Sequence, residues 1–389
     1  MIRAEELAPH YSAFRVSERL LLTGHSHQAW PDVAREGAVA AWEDAVLYVD
    51  EKWGRAFEQA ERVRDGFRLW LEEPDAELAL DQNTFGLVLR FLSALDFRRR
   101  PRLVTTDGEF HTLRRLMARL AEEELLDVVV VPARPAETLA ERLAAETDER
   151  TAAVLVSAVL FEDSRIVPGL GELGSAIDAE LLVDVYHAFG VMRVPLPDSA
   201  WVVGGGYKYL QLGEGNCFLR LPPHADELRP VFTGWYSEFA ELAAEKDPRA
   251  VEYPKGGMRF AGATYDPTSH YRAARVFAFF AEQGMTPEAL RESYLRQTAL
   301  LAEALGVPGR REDFGGFLAL EVPDAEDASR RLAEEGVLTD SRGRFLRLGP
   351  APYLSDDQLA RAAERVAAVA HGAASRNNPG STTGQGGGS

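Results

Sequence analysis

The sequence predicts an α/β fold: a doubly wound, mainly parallel sheet followed by a smaller α+β domain. Three observations carry this. The apolar runs LLDVVVV, TAAVLVSAVLF and LLVDV lack polar alternation, as strands covered on both faces must. Amphipathic stretches with helical spacing separate them. Polar, chemistry-bearing residues cluster just after the runs, where ligands gather in such sheets.

Taken in order, residues 1–20 are mixed and amphipathic, and LLLTGHSHQAWPD is a short strand breaking into a turn with His25 and His27. At spacing i, i+2 the two imidazoles would share one face of a strand, but no further ligand residue follows at metal-binding spacing. From Val33 to Leu71 the apolar spacing predicts one or two long helices. ELALDQNTFGLVLRFLSAL then gives a strand, a turn and a helix starting near Thr84. Asn83 or Thr84 there can cap the helix, and a helix N-terminus can also hold a phosphate. The next strand, turn and helix place Glu109, Phe110 and His111 in the turn, where Phe110 is either packing or a cover for a flat ligand. The strand expected over 151–161 carries Ser157 toward the same cleft. After Phe218 the pattern loosens, then two helical runs precede alternating strands and helices to about residue 372. The tail RNNPGSTTGQGGGS reads as disordered. The predicted division is an N-terminal segment 1–45 associating with the small domain, a large domain 46–260, a small domain 261–372 and a tail 373–389.

Composition narrows the function. The 389 residues hold 61 acids against 43 bases, a net charge of −18, which repels nucleic acid and anionic membrane. The single cysteine, Cys217, offers neither an internal disulfide nor a multi-cysteine metal site, so a cytoplasmic setting is expected. The longest apolar run, 152–161, falls far short of the roughly 18 residues of a membrane helix.

The most loaded stretch is 181–219, LLVDVYHAFGVMRVPLPDSAWVVGGGYKYLQLGEGNCFL. Asp184 ends a strand, His187 follows, and Lys208 stands between Tyr207 and Tyr209 after three glycines. A desolvated lysine has a lowered pKa and forms Schiff bases with aldehydes. The aldehyde cofactor that pairs a lysine with a carboxylate at its ring nitrogen is pyridoxal 5'-phosphate (PLP). Each residue has a plainer reading: a surface lysine, a helix-capping aspartate, and at Arg347 a structural ion pair.

The order of a Thr-bearing turn, a stacking turn, D-x-x-H and Y-K-Y-L with a glycine loop resembles fold-type-I PLP enzymes of the class V aminotransferase group. Kynureninase is the nearest resemblance, through GGYKYLQLGEG, the RLGPAPY run, the GW of TGWYSEF and the block RFAGATYDP. The likeness spans about residues 20–370. It implies Lys208 as the Schiff-base lysine, Asp184 at the pyridinium nitrogen and His187 near the ring's phenolic oxygen. It places Asn83, Thr84 and Tyr207 around the phosphate, Phe110 or Thr106 over the ring, Ser157 in the same cleft, and Arg347 on the substrate carboxylate. Trp235 and Thr264 would reach a neighbouring subunit's site, which implies a homodimer with shared active sites.

Departures bear on the substrate. Glu162 stands where kynureninases carry a tyrosine, WGRAFEQ where they carry a histidine, and Ala263 to Asp266 where they carry an asparagine. Glu238 replaces another expected histidine. His25, His27, Glu162 and Tyr265 are therefore candidate substrate contacts. The resulting expectation is a kynureninase-like hydrolase or lyase cleaving an amino acid at Cβ through an external aldimine. The alternatives are a class V aminotransferase or C–S lyase and, from another class, a non-catalytic PLP-binding protein.

Overall fold

The computed structural model describes residues 2–245, 247 and 249–376. Helix α1 (Ala4–Leu7) and strand β1 (Leu20–Leu21) open the chain, and the helical stretch from Val33 resolves into two helices, α2 (Val33–Tyr48) and α3 (Lys52–Leu71). The break falls at Val49, whose φ of 48° leaves the helical region. Then follow β2 (Leu78–Asp81), α4 (Thr84–Ser93), β3 (Arg102–Thr106), α5 (His111–Glu122), β4 (Asp127–Val131), α6 (Leu139–Ala145), β5 (Thr151–Ser157), α7 (Leu170–Ala176), β6 (Glu180–Asp184), β7 (Trp201–Gly205) and β8 (Cys217–Arg220).

These seven strands form one sheet in the order β2-β8-β7-β6-β5-β3-β4. Strands β7, β6, β5, β3 and β4 are parallel, and β8 runs antiparallel to both β7 and β2. The reversal at β8 follows from its connection: the 206–216 loop turns the chain straight back, with no helix to carry it across the sheet. Val154, Leu155 and Val183 are fully buried, as the unalternated apolar runs require; the run 125–131 is the exception, because β4 lies at the sheet edge with Val130 55% exposed.

The rest of the chain comprises α8 (Thr268–Glu282), α9 (Pro287–Ala304), β9 (Leu318–Glu321), α10 (Ala325–Glu334), β10 (Val337–Leu338), β11 (Asp340–Arg342), β12 (Phe345–Leu348) and α11 (Asp356–Arg376). A three-stranded antiparallel sheet has the order β11-β12-β9, and β1 pairs with β10 in parallel. Gly24 N donates to Gly349 O and Gly349 N to Leu22 O, both at 2.8 Å, which sews the N-terminal turn to the end of β12.

Two expected boundaries move. The strand expected over 151–161 ends at Ser157, because Leu160 N donates to Arg165 O and closes a turn. The last helix runs through Arg376, past the expected tail start at 373, since Ala373 and Ala374 continue its alanine-rich pattern. Residues 377–389 lie outside the described residues. No described helix is long and apolar enough to cross a membrane.

Candidate active site

Strands β6 and β7 end side by side, and their ends carry Asp184 and the glycines that precede Lys208. Gly205 is required there: a Cβ would lie 2.4 Å from the Tyr186 hydroxyl and 2.8 Å from Cys217 Sγ. The backbone thereby sinks Lys208 until only 5% of it is exposed. Its Nζ lies 2.5 Å from His187 Nε2 and 5.0, 5.7 and 5.8 Å from the ring centres of Tyr186, Phe110 and Tyr207. Burial pulls the ammonium down to about 7, although Asp184 opposes the shift. Near neutral pH much of this lysine is the free amine, the nucleophilic form.

Asp184 opens onto a narrow cavity yet lies deep in the protein, and burial raises its carboxyl, offset by the Tyr186 N–H at 2.8 Å and by Lys208. Burial, then Lys208 and Arg347, hold His187 well below its usual pKa, so it faces Lys208 as a neutral imidazole. Its Nδ1 is buried without a partner. Thr84 and Phe110 line the same cavity as Asp184. Asn83 takes the capping role, its Oδ1 accepting from Gly86 N at 3.0 Å, and Thr84 is the first residue of α4.

Ser157 pairs in register with Asp184 on the neighbouring strand. Its Oγ donates to Glu109 at 2.6 Å and its N–H at 3.2 Å, while Thr106 Oγ1 donates to the same carboxylate at 2.6 Å. Thr106 and Ser157, both expected at the cofactor, are thus engaged by Glu109. Burial raises Glu109 to about 7.

Opposite this wall, Arg347 enters from β12, itself 3% exposed. Its guanidinium donates to the Phe161 carbonyl and to Asp340, and its Nε is buried without a partner. Phe317 lies beneath, 5.6 Å from the Arg347 guanidinium carbon and 5.8 Å from the His187 ring centre. His25 stacks on Phe317 at 4.4 Å, with Nε2 3.6 Å from Asp340. Gly349 makes room for it, since a Cβ there would lie 2.3 Å from His25 Nδ1. Burial holds His25 neutral, at about 3.

The two histidines do not share a face, contrary to the i, i+2 expectation. His25 is fully buried while the His27 side chain is 64% exposed, stacked on Tyr207 at 5.2 Å with Nε2 3.6 Å from Glu214. The reason is local: Ser26 N and His27 N both donate to Thr23 O, so the strand has already become a turn.

Four expected residues are engaged by other partners. The Glu162 carboxylate pairs with Arg134 at 3.1 Å. Trp235 Nε1 donates to Thr264 Oγ1 at 2.9 Å, and Trp235 packs with Trp53, Tyr236 and Phe239. The Tyr265 hydroxyl bonds His270 Nε2 at 2.6 Å. Conversely, Tyr186, Phe317 and Asp340 belong to the constellation without having been singled out. Asp340 had a readable signal: DSRGRFLR is a hairpin turning at Gly343, and that register places Asp340 opposite Arg347.

These groups fit a phosphorylated pyridine aldehyde. A carboxylate (Asp184), an aromatic ring (Phe110) and the N-terminus of α4 (Thr84) line one cavity; the buried amine of Lys208, 5.7 Å from the Phe110 ring, and the unpartnered imidazole nitrogen of His187 stand beside these residues. No cluster suited to a metal ion occurs among the described residues.

The architecture is the fold of PLP-dependent enzymes of type I. Two structures of the cystine C–S lyase C-DES superpose with TM-scores of 0.80 and 0.78 at 16% identity. One is a variant with glycine covalently linked to its PLP cofactor, covering 92% of this chain and 98% of C-DES; the other holds the product cysteine persulfide, covering 90% and 98%. The apo cysteine desulfurase of Thermococcus onnurineus NA1 gives 0.77 at 16% identity, covering 96% and 99%. In sequence, the uncharacterized aminotransferase YcbU of Bacillus subtilis (strain 168) is 22% identical over 349 residues, 85% of this chain and 89% of YcbU. No protein-family model matches the chain.

Proposed function

We propose that this chain is a PLP-dependent enzyme acting on an α-amino acid, and that its reaction is cleavage of a carbon–sulfur bond at Cβ. The observation that carries the cofactor reading is Lys208, buried with Asp184 and His187 at the ends of adjacent parallel strands. When bound, PLP would act as an electron sink for a carbanion at the substrate's Cα. Lys208 would hold the cofactor and, once released by the incoming amine, carry the Cα proton on Nζ. Asp184 would keep the ring nitrogen protonated, and neutral His187 would orient Nζ. Phe110 would cover the ring, with Asn83, Thr84 and Tyr207 toward the phosphate. Arg347 would bind the carboxylate and fix which Cα bond faces the base.

The likeness to C-DES supports the C–S lyase reading over the kynureninase reading suggested by the RLGPAPY and YKYL motifs. Where kynureninases carry the histidine and the asparagine that recognise the aryl ketone, this chain reads WGRAFEQ and Ala263 to Asp266, which also disfavours an aryl-ketone substrate. A desulfurase that stores sulfur on its own thiol is disfavoured. Cys217 is buried in β8, and burial pushes its thiol up to about 12. A shared-site homodimer remains part of the proposal, supported by the separate aromatic group around Trp235.

Purified enzyme incubated with L-cystine or L-cysteine is expected to release pyruvate, ammonia and a sulfur product. Alanine from L-kynurenine would instead favour the hydrolase, and keto-acid-dependent amino transfer the aminotransferase. Absence of a visible PLP absorbance in wild-type protein would sink the cofactor reading itself.

A further inference from the structure

We propose that Asp340 is a positioning residue for Arg347, holding the guanidinium in the one orientation in which it can grip a substrate carboxylate. The inference rests on the amino-acid reading above.

Asp340 and Arg347 are directly opposed across the β11–β12 hairpin. One Asp340 oxygen accepts from Arg347; the other accepts from Arg342 Nη1 at 2.9 Å. The Asp340 side chain is only 13% exposed. Burial alone would raise its carboxyl, but His25, Arg347 and Arg342 together hold it well below the usual range, so it is ionised whenever the enzyme works. His25, neutral and wedged between Phe317 and Gly349, closes the remaining side.

The guanidinium is thus tied at two points, the Phe161 carbonyl and Asp340, and its buried Nε is left without a partner. An untied arginine samples several rotamers, and ordering it on binding weakens the complex. A pre-tied one meets a carboxylate with its fork already set.

Charge and positioning make opposite predictions, which makes the idea testable by sign. Neutralising Asp340 adds net positive charge beside Arg347, and by Coulomb attraction alone this would tighten a carboxylate. Positioning predicts looser binding.

The test uses holoenzyme and two probes, L-alanine and L-alaninamide, which differ in the carboxylate. Dissociation constants are read from the change in visible absorbance of the bound cofactor. Asp340→Asn is expected to weaken L-alanine about tenfold, the scale of a charge-assisted hydrogen bond, and L-alaninamide by less than about twofold. Asp340→Glu should restore part of the difference, and Asp340→Ser carries the asparagine expectation if that variant does not fold. L-alanine binding that is unchanged or tighter, or an equal loss for both probes, overturns the proposal. Arg347→Ala separates the two levels. If it weakens L-alanine while Asp340→Asn does not, the positioning role fails alone; if it leaves L-alanine binding intact, the carboxylate-anchor reading fails beneath it.

Discussion

The lysine wall and the arginine wall of this cleft are built in different ways. Asp184 ends β6, and His187 and Lys208 lie in the segments just past the ends of β6 and the adjacent parallel β7, so one stretch of chain and one strand pair place all three. Arg347, Asp340, Phe317 and His25 come from the β11–β12 hairpin, the approach to β9 and a turn more than three hundred residues upstream. The first wall is placed by the neighbouring ends of two strands. The second is held by side chains: an ion pair, a stacked imidazole and a carbonyl contact. On the proposed function, cofactor chemistry belongs to the first and substrate choice to the second, so damage to each should have its own signature.

The largest effect belongs to the lysine wall. Lys208→Ala should lower turnover by about 10³-fold or more, the scale of a lost positioned base, while leaving the protein folded by circular dichroism. The same wall has a pH signature. With the lysine at about 7, uptake of PLP by cofactor-free protein should accelerate as pH rises through that value, because the neutral amine is the attacking form. A rate flat from pH 6 to 8 would contradict the burial argument.

Arg347→Lys probes the other wall and should act differently. Lysine lacks the planar fork, so KM for an amino acid should rise about tenfold, with the visible absorbance of the cofactor unchanged. If turnover and absorbance fell together, the two walls would not be separable.

How much of this was legible in the sequence depends on the same contrast. The unalternated runs around 127–131, 151–157 and 180–184 predict the parallel sheet, and D-x-x-H followed by Y-K-Y-L places the lysine wall, because neighbouring strand ends in such a sheet must meet. The antiparallel return of β8 is decided by the length of one loop. His25 looked like the twin of His27, and only the pairing of β1 with β10 and of Gly24 with Gly349 shows that one imidazole is buried and the other exposed. Glu162 is a candidate because it stands where kynureninases carry a tyrosine, but the turn closed by Leu160 and Arg165 carries its carboxylate to Arg134.

Two smaller effects sharpen the comparison. Glu109 is protonated more readily when folded, so between its ordinary 4.5 and about 7 it contributes stability that is lost as pH rises. Glu109→Gln should flatten that part of the pH–stability curve of the cofactor-free protein in urea titrations. Glu162→Gln should change KM and turnover by no more than about twofold, as expected for a partly exposed ion pair outside the cleft. A larger loss would move Glu162 back among the substrate contacts.

The central claim is that Lys208 carries the cofactor. Borohydride reduction of the PLP-loaded enzyme, followed by proteolysis and mass spectrometry, should find the reduced pyridoxyl group on the peptide containing Lys208 and an unmodified Lys255. A label on another lysine, or none on the Lys208 peptide of a protein that shows the visible absorbance, would contradict the account.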